Sequence, residues 1–299
     1  MQQLAEIRDL IARHAGSDQV GAHLPGVNLK AASGPTDPVC CVYEPVFALV
    51  AQGAKRTVLC DKVFAYSAGQ YLVCSVDLPI TGQVVQACAE EPYLGLGMIL
   101  KPAAIAALLL EIGSGDRGGG EPAGLAVSTA SAELLDPILR LLRLLDRLGD
   151  APMLAPMLER EILWRLLVGE QGAMVRQIGL ADSSLSQISR AIGWIRTHYA
   201  ETFRIEDLAQ AAGMSEPSFY RHFRGVTAMS PLQYQKQIRL QEARARLIVH
   251  GQDVASVGFE VGYDSPSQFS REYSRLFGAP PGRDAAHLRT LPTVERGLV

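Results

Sequence analysis

Two groups of polar side chains recur in matched settings toward the C-terminal end of this 299-residue chain. Pro217, Ser218, Tyr220, Arg221 and Arg224 form the first, and Ser267, Gln268, Arg271 and Arg275 form the second, about 50 residues on. An arginine presents a planar fork of donors that pairs bidentately with guanine, and a glutamine amide does the same with adenine. Serine, tyrosine and further arginines suit phosphate oxygens. Such groups read a nucleic acid only when a rigid, capped helix carries them on its outer face.

The flanking residues supply that helix twice. In the first unit, Ile205–Gly225, a helix opens with Glu206 and Asp207 in its first turn, which suits the helix dipole. It buries Leu208, Ala209 and Ala212 and stops at Gly213, and Ser215 is placed to cap the next helix, whose inner face carries Phe219 and Phe223. The second unit, Val254–Gly278, repeats this with Val254, Val257 and Val261 inside and Gly262 as the stop. Asp264 or Ser265 caps its second helix, and Phe269, Tyr273 and Phe277 anchor it. Between the units, SPLQYQKQIRLQEARARLIVHG reads as one helix with Ile238, Ala245 and Ile248 among its buried positions. About 20 helical residues span about 30 Å, close to the roughly 34 Å between successive major-groove faces. An earlier helix, Ser184–Tyr199, is expected to support the pair.

The stretch Ile188–Leu288 resembles the DNA-binding domain of AraC/XylS-type transcription regulators. The diagnostic run is Val254-Ala-x-x-Val257-Gly258-Phe259, Gly262-Tyr263-x-Ser265, Gln268-Phe269-Ser270-Arg271-x-Tyr273 and Phe277-Gly278-x-Pro280-Pro281. The resemblance implies base-reading roles for Pro217, Tyr220 and Arg221 in the first reader and for Ser267, Gln268 and Arg271 in the second. It leaves Ser218 and Arg224 nearer phosphate. Pro217 departs from a polar reader and offers only an apolar contact. The N-terminal half is similar to the sensor domain of one branch of that family, through Tyr43-Glu44-Pro45, Gln52-Gly53-x-Lys55-Arg56 and Gly69-Gln70-Tyr71-Leu72-Val73 leading to Ser75-Val76-Asp77-Leu78-Pro79. The implied partners are double-stranded promoter DNA, a small-molecule effector of unknown identity, RNA polymerase and a second copy of the chain.

Read from its residues, that N-terminal half is β-rich. After a helix at residues 3–15, β-branched and aromatic runs alternate with Gly, Pro and Asp up to residue 100, as in an antiparallel barrel or sandwich. An Ala/Leu-rich helix, PAAIAALLLEIG, and a loop, SGDRGGGEPAG, follow. Leu134, Ile138, Leu141, Leu145 and Leu148 then draw a narrow apolar seam on the first helix of a hairpin. That seam either covers the barrel or packs against a second copy. The expectation is an α+β chain: a cupin-like antiparallel β-barrel with a helical hairpin (1–171), a linker (172–183), an all-α domain of two helix-turn-helix units joined by a linker helix (184–290), and a tail (291–299).

Composition agrees with two globular domains, with 48% apolar and 20% charged residues. The net charge of −3 hides an asymmetry. From Ser183 onward 14 Lys and Arg face 11 acids, whereas residues 1–182 hold 14 against 20, so only the C-terminal part has the sign that phosphate requires. The first residues are not a basic start before an apolar run, and the most apolar stretch, Leu94–Ile112, is cut by Lys101-Pro102, so a cytoplasmic setting is expected and no membrane association.

Of six histidines none lies between residues 24 and 197, which removes the imidazoles a metal site in the barrel would use. No metal, cofactor or catalytic residue is expected, and a barrel enzyme tethered to DNA is the disfavoured alternative. Tyr43, Lys55, Arg56 and Tyr71 are the candidate ligand residues, with the tyrosines equally suited to packing. Adjacent strand residues point to opposite faces, so at most one of Lys55 and Arg56 faces inward. Cys40, Cys41, Cys60, Cys74 and Cys88 read as free thiols, with Cys41, Cys60 and Cys74 placed in apolar runs that suggest burial. A thiol-based sensor of oxidants or electrophiles is a further alternative, and it needs an exposed thiol of low pKa.

Overall fold

The computed structural model describes residues 2–112, 123–250 and 253–290. The loop expected within SGDRGGGEPAG and the tail 291–299 fall largely or wholly outside the described residues.

Among the described residues two helices, α1 (Gln2–His14) and α2 (Asp18–His23), precede nine strands. These are β1 (Val27–Ala32), β2 (Val39–Tyr43), β3 (Val46–Gln52), β4 (Ala54–Leu59), β5 (Lys62–Ser67), β6 (Gln70–Cys74), β7 (Leu78–Gln86), β8 (Tyr93–Ile99) and β9 (Leu125–Thr129), with α3 (Pro102–Ile112) between the last two. They form two antiparallel sheets, in the orders β1-β8-β3-β6-β9 and β2-β7-β4-β5. The Cys60-Asp61 and Ala68-Gly69 turns join β4 to β5 and β5 to β6, where the turn residues predict them. Strand β9 was not foreseen. It completes the first sheet beside β6, with Leu72 opposite Val127.

The helical hairpin is α4 (Ala132–Arg143) and α5 (Ala151–Val168). The leucine seam of α4 lies inside the protomer: Leu134, Ile138, Leu141 and Leu145 are all buried, and α4 packs between α1 and α5. The seam is thus filled within the protomer, by α1 and α5, and α1 in turn rests on β1, β3 and β8. Residues expected as a linker instead begin with α6 (Gly172–Gly179), which buries Met174, Val175 and Ile178 and packs on α3 and α5. Three apolar residues at helical spacing outweighed the flanking glycines.

The head comprises α7 (Ser184–Thr197), α8 (Ile205–Ala211), α9 (Glu216–Thr227), α10 (Pro231–His250), α11 (Val254–Glu260), α12 (Pro266–Phe277) and α13 (Pro281–Thr290). Its first unit shares one continuous apolar cluster with the barrel, through Phe219, Phe223, Tyr234 and Ile238. The second has a cluster of its own around Leu240, Ala243, Leu247, Phe269 and Tyr273. Helix α10 therefore buries two successive seams. This corrects the expected register: Ala245 is exposed and Ile248 only half-buried, while Ala243 and Leu247 take the core positions.

Candidate nucleic-acid interface

The two readers are built alike. Met214 N–H donates to the Ala209 carbonyl and Tyr263 N–H to the Gly258 carbonyl, both at 2.9–3.0 Å, closing each turn in the same way. Gly213 and Gly262 take left-handed φ values of 70° and 91° there. The surroundings differ. A Cβ on Gly262 would lie 2.3 Å from the Ala200 carbonyl oxygen, whereas nothing lies within 4 Å of one on Gly213.

Each reading helix begins on a serine in extended conformation. Ser265 accepts a hydrogen bond from the Gln268 N–H at 3.4 Å, while Ser215 has the cap backbone without the side-chain bond. Phe219 and Phe223 of α9, and Phe269 and Tyr273 of α12, are fully buried and fix the rotation of each helix. The outer faces then present the residues singled out by spacing. Pro217, Tyr220, Arg221 and Arg224 are exposed on α9, with Ser218 half-buried; Ser267, Gln268, Arg271 and Arg275 are exposed on α12.

Arg221, Arg224, Arg271 and Arg275 make no hydrogen bond or ion pair to any of the described residues. Other head arginines are engaged. Arg239 donates to the carbonyls of Tyr199, Ala200, Glu201 and Gly262, tying α10 to the end of α7 and to the turn of the second unit. Arg244 holds Asp284 through two bonds of 2.8 and 2.9 Å and stacks over Phe277 at 4.4 Å. Tyr273 donates to the same carboxylate at 2.8 Å. Gln268 reaches Glu272 at 3.4 Å; burial pushes the Glu272 carboxyl up, but hydrogen bonds from Lys236 and Tyr263 outweigh it and hold the group below the usual carboxylate range. Sequence reasoning passed over Arg239, Arg244 and Asp284. Their only signal is charge at positions of α10 and α13 that face neighbouring helices.

Helices α7 and α10 carry the head on the barrel through the loop between β6 and β7. The Asp77 carboxylate pairs with Arg196 of α7, and its carbonyl accepts from the Tyr234 hydroxyl of α10 at 2.8 Å. The Gly124 backbone approaches the end of α9 so closely that a Cβ would sit 2.0 Å from the Val226 carbonyl oxygen. Gln241 of α10 reaches the Cys41 carbonyl at 3.4 Å.

Within the barrel the structure brings together only two of the four candidate ligand residues. Lys55 and Tyr43 face inward, with the ammonium 2.6 Å from the phenol oxygen. Arg56 points outward to Gln83, as strand alternation requires. Tyr71 packs against Phe47, two residues from Val73 and on the opposite face of β6 from Cys74, so it does not join Lys55. No carboxylate among the described residues pairs with Lys55, and burial lowers its pKa to about 8. Burial likewise pushes the Cys41 thiol and the Tyr66 phenol up to about 12. Cys74 is buried, but Cys60 and Cys88 are exposed, which corrects the expected burial of Cys60: it occupies the turn itself, at φ 56°.

Comparison with known proteins agrees with this architecture. Residues 23–174 match the family profile of the AraC-type transcriptional regulator N-terminus. The chain belongs to the AraC-type transcriptional regulators. Residues 208–286 match a helix-turn-helix domain profile, which takes in both reading helices. Among curated relatives, the HTH-type transcriptional regulator ExsA of Pseudomonas aeruginosa is 27% identical over 163 residues, 54% of this chain and 58% of that protein. The activator RhaS of Salmonella schwarzengrund is 25% identical over 160 residues, 51% and 56% of the two chains. The chain thus spans somewhat over half the length of these relatives. Among solved structures, unsaturated-fatty-acid-bound ToxT from Vibrio cholerae shares the fold, with a TM-score of 0.57 at 10% identity over 87% of this chain and 94% of that one. ToxT bound to a naphthalenyl butenoic acid gives 0.58 at 9% identity, over 88% and 98%. Both likenesses extend over most of this chain and nearly all of the other. No helix among the described residues is long and apolar enough to cross a membrane.

Proposed function

We propose that the protein is a sequence-specific, promoter-binding transcription regulator without enzymatic activity, acting as a homodimer in contact with RNA polymerase and controlled by a small anionic molecule in its barrel. One observation carries the DNA reading. Four exposed arginines without partners among the described residues stand on the outer faces of two helices whose rotation buried aromatics fix. An arginine held at a helix surface with no protein acid is available for phosphate and guanine. Arg221 and Arg271 are assigned to base edges with Tyr220, Gln268 and Ser267; Arg224, Arg275 and Ser218 to phosphate; and Pro217 to an apolar contact.

Fluorescence anisotropy with DNA from upstream of its own and adjacent genes tests this. Arg221→Ala and Arg271→Ala are each expected to cost about 1–3 kcal/mol of binding and to relax specificity. Arg224→Ala is expected to weaken all sequences alike and to reduce the salt slope by about 1. Absence of a salt-sensitive specific complex with the unaltered protein overturns the reading.

The effector class rests on Lys55, a buried ammonium whose hydrogen-bond partner is a phenol rather than a carboxylate. An anion entering beside Tyr43 supplies the missing charge. The carboxylate ligands of the two ToxT structures are of that chemistry. Because the first reading unit shares the barrel's apolar cluster and is fastened at Asp77, a ligand that shifts β2 or β7 moves the head. The thiol-sensor alternative has less support, since every cysteine with a resolved shift among the described residues, the exposed Cys60 included, is pushed away from the thiolate by burial.

A further inference from the structure

On the second reading helix, α12, Gln268 and Glu272 lie one turn apart on the same face, and the Gln268 amide donates to a Glu272 carboxylate oxygen at 3.4 Å. That carboxylate is itself held. The same oxygen accepts from the Lys236 ammonium of α10 at 2.9 Å, and the other oxygen accepts from the Tyr263 hydroxyl, also at 2.9 Å. Tyr263 is buried in the turn before α12 and packs its ring on Phe269, one of the aromatics that set the rotation of the helix. Glu272 is therefore fixed by α10 and by the turn, and the exposed Gln268 is tethered to that fixed point.

An amide that reads a base can be turned two ways, and the two settings suit different bases. Adenine offers a donor at N6 and an acceptor at N7, which match an amide carbonyl and N–H side by side. Guanine offers acceptors alone at N7 and O6, which only the NH2 end can meet. A carboxylate accepts and cannot donate. Glu272 therefore attracts the NH2 end of Gln268 and repels its carbonyl, which disfavours the flipped amide. One N–H goes to the carboxylate. The carbonyl and the second N–H remain, and that edge is the one adenine matches. We propose that Glu272 is a positioning residue for base reading: it holds the Gln268 amide in one setting and so makes the second reader prefer adenine at that base pair. The role rests on the DNA reading of α12 and names the base it favours.

The device belongs to the second unit. With Phe219 set over Phe269, the equivalent positions of α9 hold Ser218 and His222, neither an amide nor a carboxylate. Nor does the acid silence its neighbour. Both Glu272 oxygens are engaged, and Arg271 makes no ion pair among the described residues, so it stays available beside Gln268. A Gln268–Glu272 pair that served only to stabilise the helix would alter the melting temperature and the overall affinity. A positioning role alters which base is bound.

Duplexes selected from a random-sequence pool by the full chain supply the probes, and the same selection with Gln268→Ala identifies the base pair whose preference is lost. Fluorescence anisotropy is then read on duplexes that differ only there. The unaltered protein is expected to favour adenine over guanine by about tenfold or more. Glu272→Gln can donate as well as accept, so the amide is free to flip, and the preference is expected to fall to about threefold or less. Glu272→Met with Lys236→Met keeps the net charge, removes the acceptor and is expected to lose the preference equally, with circular dichroism confirming that the helices persist. In the Gln268→Ala background, Glu272→Gln is expected to change the adenine-to-guanine ratio by less than about twofold, as a residue acting through Gln268 must. An unaltered protein that selects no sequence overturns the DNA reading and the role of Glu272 together. Selection of any base other than adenine at that pair, or an adenine preference that both Glu272 variants retain, overturns the role while the DNA reading stands. So does a Gln268→Ala protein that selects the same sequence as the wild type, or an equal loss of preference with Gln268 absent.

Discussion

Tyr234, in the first turn of α10, donates its hydroxyl to the backbone carbonyl of Asp77 at 2.8 Å, on the residue whose carboxylate already holds Arg196 of α7. One residue of the β6–β7 loop therefore fastens two helices of the head to the barrel. Removing both contacts, in Arg196→Ala with Tyr234→Phe, loses about 1 kcal/mol for each bond and leaves the two clusters less coupled. Calorimetry is expected to show the single melting transition of the wild type broaden or split. A sharp, unshifted transition would place the coupling elsewhere.

Asp284 is buried and serves both Arg244 and the Tyr273 hydroxyl, so it holds α13, α10 and α12 at one point. Asp284→Ala leaves a guanidinium and a phenol without their partner in a mostly dry site. A loss of about 3–5 kcal/mol is expected, confined to the second unit. Tyr273→Phe removes one hydrogen bond and no charge, and about 1 kcal/mol is expected. Urea titration compares the two, and equal losses would mean that the ion pair contributes little.

The duplicated turns should respond unequally to the same substitution. Gly213→Ala places a methyl in open space and costs the left-handed penalty alone, about 1–2 kcal/mol. Gly262→Ala pays that penalty and also drives a methyl into the Ala200 carbonyl, whose neighbours Arg239 holds in place. Its melting temperature is expected to fall well below that of the Gly213 variant. DNA binding by Gly213→Ala at low temperature should remain near normal.

Lys55 makes a pH dependence that can be isolated. Burial lowers its folded pKa to about 8, whereas the unfolded chain keeps the ammonium to about pH 10.4. Between those values the unfolded state binds the extra proton, so the contribution of Lys55 to stability rises with pH through that window and is least below pH 8. Lys55→Met lacks the effect, while the titrations of Cys41 and Tyr43 are present in both proteins. The stability advantage of the variant at pH 7 is therefore expected to shrink as pH approaches 10. Oleate, used as an anionic probe, should bind wild type more weakly above pH 8 and show no such fall with the variant. A stability gap that is flat with pH would mean that Lys55 is not buried as a charge.

The sequence by itself determined the two reading helices. A period of 3.6, a left-handed glycine, a capping serine and paired aromatics are local signals, and together they fix which residues of α9 and α12 turn outward. The α+β division and most strands were legible for the same reason, since strand alternation is a local rule. That rule also puts Lys55 and Arg56 on opposite faces, but which of them turns inward was left to the tertiary structure. Tertiary structure alone decided the rest. Strand β9 forms because an edge of β6 is waiting for it. The α4 leucines face inward because α1 and α5 cover them, and α10 buries Ala243 rather than Ala245 because the second unit packs there. Tyr71 and Tyr43 look alike in sequence, yet sheet pairing sends one to the barrel interior and the other to the packed face beside Phe47. The partners of Asp77 and Asp284 lie between 11 and 157 residues away, and no periodicity in the chain encodes such distances.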